Sequence, residues 1–290
     1  AATLLSNKKI SLTNLPRVKD VETMIKLLES MGSKVKVSKN KNSLVIKNDK
    51  KIKTEASYNL MSTMRAGIIV LGPLLARFGK ARVSSPGGCN IGFRPIDIHL
   101  EALKKMGVKY KIIDGYINAN AKNGLVGAKI KFPKISVGAT ENLMIAACLA
   151  KGQTVLSNCA IEPEIKDLSN FLCSMGAKIV WTGRRQVKII GVKTFKQSNY
   201  KIMFDRIEAG TMLIAGAINQ GNLKITGIES SILETEIDLL KKIGAKINQK
   251  KNEIIIKGNK KIKNINIKTS PYPGVATDIH AQLMVLLCKA

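Results

Sequence analysis

This sequence predicts an α/β fold made of repeated units, each a mixed α+β sheet covered by helices, and three observations carry that reading. First, one pattern is written four times. Residues 27–35, 103–110, 171–179 and 239–247 each pass from an apolar helical stripe through Gly, any residue and Lys to Val, Tyr or Ile. The glycines Gly32, Gly107, Gly176 and Gly244 lie 75, 69 and 68 residues apart, a spacing that marks an internal repeat of small globular subdomains and not a thin solenoid layer. Second, another helix recurs between these points, ending near Gly79, Gly152 and Gly221, with strand-like runs at 154–157 and 223–226 after the last two. Third, the chain is 45% apolar over 290 residues, enough to bury a full core and unlike a disordered composition.

Taken in order, residues 1–7 read as the close of the second type of helix. Asn14 then leads into Val18-Lys19-Asp20 and Asn158 into Ile165-Lys166-Asp167, where an acid near a helix start is favoured by the dipole. Each glycine of the fourfold pattern closes its helix in the left-handed cap position, and a strand follows. Residues 279–290 look like the second helix again, stopping just before its expected Gly. Three units therefore fall in residues 1–203, a first domain, and about one in 204–290, a partial second domain. The phase of both ends leads us to expect further sequence on either side.

Charge excludes less than its size suggests. There are 48 Lys+Arg against 20 Asp+Glu, a net +28, yet only eight of the cations are Arg. The lysines fall in runs such as 47–53 and 257–268 among Ile and Asn, as solvated surface lysine would. Aromatics make up 4% and do not interleave with the basic runs, which argues against a base-stacking platform, so we expect no nucleic-acid partner. No apolar stretch reaches the roughly 20 residues of a membrane span, and the chain shows no leading basic and hydrophobic signal; we expect no membrane partner. Five cysteines without a CxxC pair, Cys89, Cys148, Cys159, Cys173 and Cys288, suit a reducing, cytoplasmic setting. Cys148, Cys173 and Cys288 lie in helical runs where cysteine is usually a small buried hydrophobe. His99 and His280 are unclustered and make no metal site.

The chemistry concentrates in residues 84–100. Three glycines in six residues, Gly87, Gly88 and Gly92, let a backbone approach a ligand, and Arg94 follows to hold an anion. Cys89 sits among them, where a neighbouring cation would lower its pKa and raise its reactivity; a packed small residue is the alternative. Taken alone, Arg65 and Lys134 read as surface cations, Asp278 as the N-cap of the last helix, and Asp205 and Glu208 as acids of a helix-start salt bridge.

Together these residues carry a resemblance. Pro86-Gly87-Gly88-Cys89 with Arg94-Pro95-Ile96-Asp97 is similar to the UDP-N-acetylglucosamine 1-carboxyvinyltransferase family of enolpyruvyl transferases. So are Thr63-Met64-Arg65-Ala66, Leu71-Gly72-Pro73-Leu74, residues 134–140, Glu162-Pro163-Glu164-Ile165 and Asp205-Arg206-Ile207-Glu208. The match runs in order over essentially the whole chain. It implies a two-domain enolpyruvyl transferase fold of βαβαββ units about a pseudo-threefold axis, with the second domain incomplete here. It also implies transfer of the enolpyruvyl group of phosphoenolpyruvate to the 3′-hydroxyl of UDP-N-acetylglucosamine, the step that opens peptidoglycan synthesis, with no cofactor and no metal. Carried over by position, Arg65, Arg94, Pro95, Ile96, Asp97 and Ile98 match UDP-sugar contacts, and Arg94 also serves phosphoenolpyruvate. Lys134, Ile135, Ser136 and Val137 match a second UDP-sugar loop. Asp278 matches the base on the sugar hydroxyl, and Cys89 the general acid or transient nucleophile that fosfomycin alkylates. Asp205 and Glu208 resemble cleft acids. The family's N-terminal Lys-Asn pair and its late second-domain arginines have no counterpart, so the resemblance implies a fragment of little or no turnover. A non-catalytic UDP-sugar binder and the sibling 5-enolpyruvylshikimate-3-phosphate synthase activity are the alternatives. Oligomeric state is not legible.

Overall fold

A computed structural model describes residues 1–49, 51–85 and 96–290, and in it the repeat becomes a repeated sheet. The first sheet uses β1 (Ile10–Thr13), β2 (Ser33–Val37) and β3 (Ser43–Asn48), covered by α1 (Lys19–Ser30). The next element pair is β4 (Glu55–Ala56) and the short α2 (Tyr58–Met61), followed by a 3-10 turn at Arg65–Val70 and α3 (Leu71–Phe78). Strand β5 (Lys80–Ser84), helix α4 (Asp97–Lys105), β6 (Lys109–Ile113) and β7 (Tyr116–Asn120) complete the second sheet, in the order β4-β5-β7-β6. The third begins at β8 (Lys129–Lys131) and α5 (Val137–Ala147), then β9 (Gln153–Ser157), α6 (Pro163–Ser174), β10 (Lys178–Gly183) and β11 (Gln186–Ile190). Its order, β8-β9-β11-β10, repeats that of the second.

The first sheet has the same plan only because the chain returns to it. Strand β12 (Ser198–Lys201) pairs parallel to β1, Ile10 opposite Ser198, just as β4 pairs parallel to β5 and β8 to β9. Among the described residues the stretch Ala1–Ile202 is thus one compact unit with three four-stranded sheets of one topology.

Two kinds of helix follow from two kinds of sequence. α1, α4 and α6 carry one apolar stripe and cover a sheet. α5 is apolar almost all round, with Leu143, Met144, Ile145, Ala146 and Ala147 buried, so it sits inside the unit and packs on α3. The two backbones approach so closely at Gly72 that a Cβ there would lie 2.3 Å from Asn142 Oδ1 and 2.5 Å from the Asn142 carbonyl oxygen. The four pattern glycines have φ of +102°, +91°, +107° and +113°, the left-handed region that favours glycine.

Met203–Ala290 forms a second compact unit. It contains α7 (Arg206–Ile218), β13 (Asn222–Thr226), α8 (Glu234–Ile243), β14 (Lys246–Lys250), β15 (Glu253–Lys257) and α9 (His280–Leu287), with sheet order β13-β15-β14. Leu213, Ile237, Leu240, Ile254, Ile256 and Leu286 make its core.

Several local expectations are corrected. α7 ends near Gly221 as expected, at Ile218, but its cap is Asn219, whose side-chain amide donates to the Ala215 carbonyl, and Gln220 takes the left-handed conformation with φ +55°. Asp167 is not at a helix start, because Pro163 opens α6 and leaves Glu164 as the first-turn acid. Cys288 is exposed, just past the last turn of α9, and Cys173 is only half-buried, beside the buried Leu172 on α6.

Candidate functional site

Three of the predicted segments meet in the first unit. Ser136 caps α5, its Oγ accepting from the Ala139 N–H at 3.3 Å. Thr140 Oγ1 donates to the Ser136 carbonyl at 2.7 Å and accepts from the Ala160 N–H at 3.0 Å, tying the segment to the loop after β9. Ile135 and Ser136 are half-buried; Lys134 and Val137 are exposed. A cation beside the positive end of an eleven-residue helix suits an anionic ligand.

α4 starts at Asp97, exposed, with half-buried Ile96 and Ile98 packed on the core. The next residue, His99, is buried, and burial, with the Arg65 charge second, lowers its pKa to about 4. Arg65 itself opens the 3-10 turn and is half-buried. Gly138, in the first turn of α5, lies against the His99 ring, where a Cβ would be 3.4 Å from Cε1. The His99 ring therefore adjoins all three predicted ligand segments.

Sequence reasoning missed Asn142, which is fully buried on α5. Its Oδ1 accepts from the Gly72 N–H at 2.7 Å; its Nδ2 donates to the Ile68 carbonyl at 3.2 Å and reaches His99 Nδ1 at 3.1 Å. The signal was available as an amide inside an otherwise apolar helix, a place where polar groups must be paired. Glu141 was missed as well. Burial, then repulsion from Glu164, pushes its carboxyl up to about 7, with Glu162 adding.

Cys89, Arg94 and Pro95 lie outside the described residues. Of the other cysteines, Cys148 and Cys159 are buried, and burial pushes both thiols up, that of Cys159 to about 12. A cavity of about 840 Å³ in the first unit, lined by Leu5, Arg77, Lys151 and Phe195 among others, includes none of the predicted site residues.

In the second unit Asp205 is the N-cap of α7, its Oδ1 accepting from the Ile207 N–H at 2.8 Å and the Glu208 N–H at 3.0 Å. Glu208 is exposed. Asp278 lies in the 3-10 turn Thr277–Ile279 ahead of α9; it is exposed and makes no capping bond, its Oδ2 accepting from Thr277 Oγ1 at 3.4 Å. The helix-cap reading therefore does not fit Asp278, and Asp205, read as part of a helix-start salt bridge, is the residue that caps a helix. Among the described residues no group of three His, Cys, Asp or Glu side chains could hold a metal, and no helix is long and apolar enough to cross a membrane.

Comparison with known proteins bears on all of this. The family model described as EPSP synthase (3-phosphoshikimate 1-carboxyvinyltransferase) matches residues 1–290. The UDP-N-acetylglucosamine 1-carboxyvinyltransferase of Pelagibacter ubique (strain HTCC1062) is 70% identical over 290 residues, which are 100% of this chain and 69% of that protein. The protein of the same name from Trichlorobacter lovleyi is 46% identical over 289 residues, covering 100% of this chain and 68% of its own. The crystal structure of the enolpyruvyl transferase NikO from Streptomyces tendae superposes with a TM-score of 0.88 at 20% identity, over 100% of this chain and 69% of that one. That likeness shows the fold, the one the resemblance implies.

Proposed function

This chain belongs to the EPSP synthase family, and from that premise we propose that its substrate pair is phosphoenolpyruvate and UDP-N-acetylglucosamine. The observation that carries the choice of acceptor over shikimate 3-phosphate is the 70% identity, across the whole chain, to a UDP-N-acetylglucosamine 1-carboxyvinyltransferase. The enolpyruvyl group passes to the sugar 3′-hydroxyl and phosphate leaves, a step of peptidoglycan synthesis and so of cell division, carried out in the cytoplasm.

The reading assigns roles by chemistry. Lys134, Ser136 and Val137, at the positive end of α5, hold the diphosphate, with Arg65 and Arg94 adding charge-assisted bonds. Ile135, Pro95, Ile96, Asp97 and Ile98 shape the walls around the nucleotide and sugar. Asp278, exposed and with no backbone amide to cap, takes the proton from the sugar hydroxyl as its oxygen bonds to the central carbon of phosphoenolpyruvate. Cys89 gives a proton to the methylene carbon, forming a tetrahedral intermediate, and loss of phosphate with that proton restores the double bond. Asp205 and Glu208, in the second unit, resemble acids of the family's site.

The test is titration calorimetry of the chain with UDP-N-acetylglucosamine and, separately, with shikimate 3-phosphate. We expect heat from the first only, and a loss of about tenfold or more in affinity for Arg65→Ala or Lys134→Ala, the worth of one charge-assisted bond. Binding of shikimate 3-phosphate alone would overturn the assignment. In the presence of the UDP-sugar, fosfomycin should modify Cys89 before Cys148, Cys159, Cys173 or Cys288, as read by peptide mass spectrometry.

A further inference from the structure

The hydrogen bonds of Asn142 leave one protonation state for His99. The Gly72 N–H can only donate and the Ile68 carbonyl can only accept, so the amide must turn its oxygen to Gly72 and its NH2 to Ile68, at 2.7 Å and 3.2 Å. The second N–H of that NH2 then points at His99 Nδ1, 3.1 Å away. Nδ1 has to be the acceptor, so the ring is neutral and its proton is on Nε2. Burial and the Arg65 charge favour the same neutral form.

This pair spans four segments: the 3-10 turn that begins with Arg65, the first turn of α3, the start of α4 behind Asp97 and Ile98, and the start of α5 behind Ser136 and Val137. Each of these segments except α3 carries predicted ligand residues. The Nε2 edge of the ring faces Gly138, 3.6 Å from where a Cβ would be. We propose that Asn142 and His99 form a positioning bracket that holds the Arg65, Asp97–Ile98 and Ser136–Val137 segments in mutual register for the UDP-sugar, with His99 locked as the neutral Nε2–H tautomer. This rests on the UDP-sugar reading above, and it deepens it by assigning two buried residues that touch no ligand. A histidine in this place keeps one acceptor and one donor in a fixed orientation, and a neutral ring does not repel the neighbouring Arg65.

The chain has two histidines, and exposed His280 provides an internal reference. In nitrogen-15 spectra of the imidazoles, His99 should show the neutral Nε2–H pattern from pH 8 to pH 5. A charged His99 at pH 6, or an Nδ1–H tautomer, overturns the proposal without any variant being made. Calorimetry then tests positioning. His99→Gln keeps an acceptor for Asn142 and should bind UDP-N-acetylglucosamine within about threefold of the wild type. His99→Phe keeps the bulk but loses the acceptor and should bind about tenfold more weakly, one buried hydrogen bond's worth. A merely structural role predicts that affinity follows melting temperature in both variants, so weakening by Phe without rescue by Gln at matched stability refutes the bracket, as does wild-type affinity in His99→Phe. Should wild-type chain itself not bind the UDP-sugar, the functional reading fails, and the positioning role with it, whereas the tautomer measurement still reports on the Asn142 lock.

Discussion

Gly72→Ala sets helix propensity against packing. Alanine is favoured over glycine by about 1 kcal/mol in a helix interior and by less in a first turn such as that of Gly72, so local reasoning predicts at most a small gain in stability. The structure predicts the reverse. The new Cβ would lie 2.3 Å from Asn142 Oδ1, 2.5 Å from the Asn142 carbonyl oxygen and 3.3 Å from the Ala146 Cβ. One of these neighbours is backbone of a buried helix and cannot rotate away. Overpacking of this kind costs about 1–3 kcal/mol, and pushing Asn142 off the Gly72 N–H leaves a buried donor unpaired for about 1–3 kcal/mol more. Net of propensity, we expect about 3 kcal/mol of destabilisation, which for a unit of this size is a fall of roughly 6–12 °C in melting temperature. Gly210→Ala is the control within the same chain. It lies inside α7 with its nearest neighbours Ile279 Cγ2 at 3.7 Å and Glu236 Cγ at 3.9 Å, ordinary contacts, so there the propensity gain of up to about 1 kcal/mol should appear. Scanning calorimetry of the two variants beside the wild type checks both. A melting temperature for Gly72→Ala at or above wild type would refute the close approach of α3 and α5.

Three further outcomes are expected. The Glu141 carboxyl is raised from the ordinary 4.5 to about 7, so the folded state holds this proton more tightly than the unfolded one; its contribution is complete below about pH 4.5 and is lost as pH rises through 7. Glu141→Gln should therefore gain up to about 3 kcal/mol over wild type at pH 8 and nothing at pH 4, and parallel urea midpoints across that range would count against it. Asp205→Ala should lower the stability of the second unit by about 1 kcal/mol through loss of the α7 cap, while Asp205→Asn, also a good cap, keeps most of it; equal urea midpoints for all three would show that the two backbone bonds do not hold. Among the four described cysteines a disulfide reagent at pH 8 should label exposed Cys288 first and Cys148 only on unfolding, and early labelling of Cys148 would mean that the core of the first unit opens.

Much of the architecture was legible because it is written in local signals. The Gly-x-Lys pattern marks a helix end whose next residue must take positive φ, and a strand whose partner is only a short turn away, so four copies announced four units. The motifs around Arg65, Ile96 and Lys134 named the segments that meet, whereas the role of Ser136 as the cap of α5 came only from the structure. Other features depended on partners far away in the chain. Nothing near Ser198 says that β12 closes the first sheet beside Ile10; a strand edge finds its mate by topology. Nothing near Asn142 says that its amide faces Gly72, Ile68 and His99, some 70 and 43 residues distant. Asp205 and Asp278 looked alike as acids before helices, yet only Asp205 meets the backbone amides that make a cap. Capping glycines and apolar stripes act within a few residues and can be read in sequence, whereas buried hydrogen bonds are set by which backbones come close, and that is decided only when the helices pack.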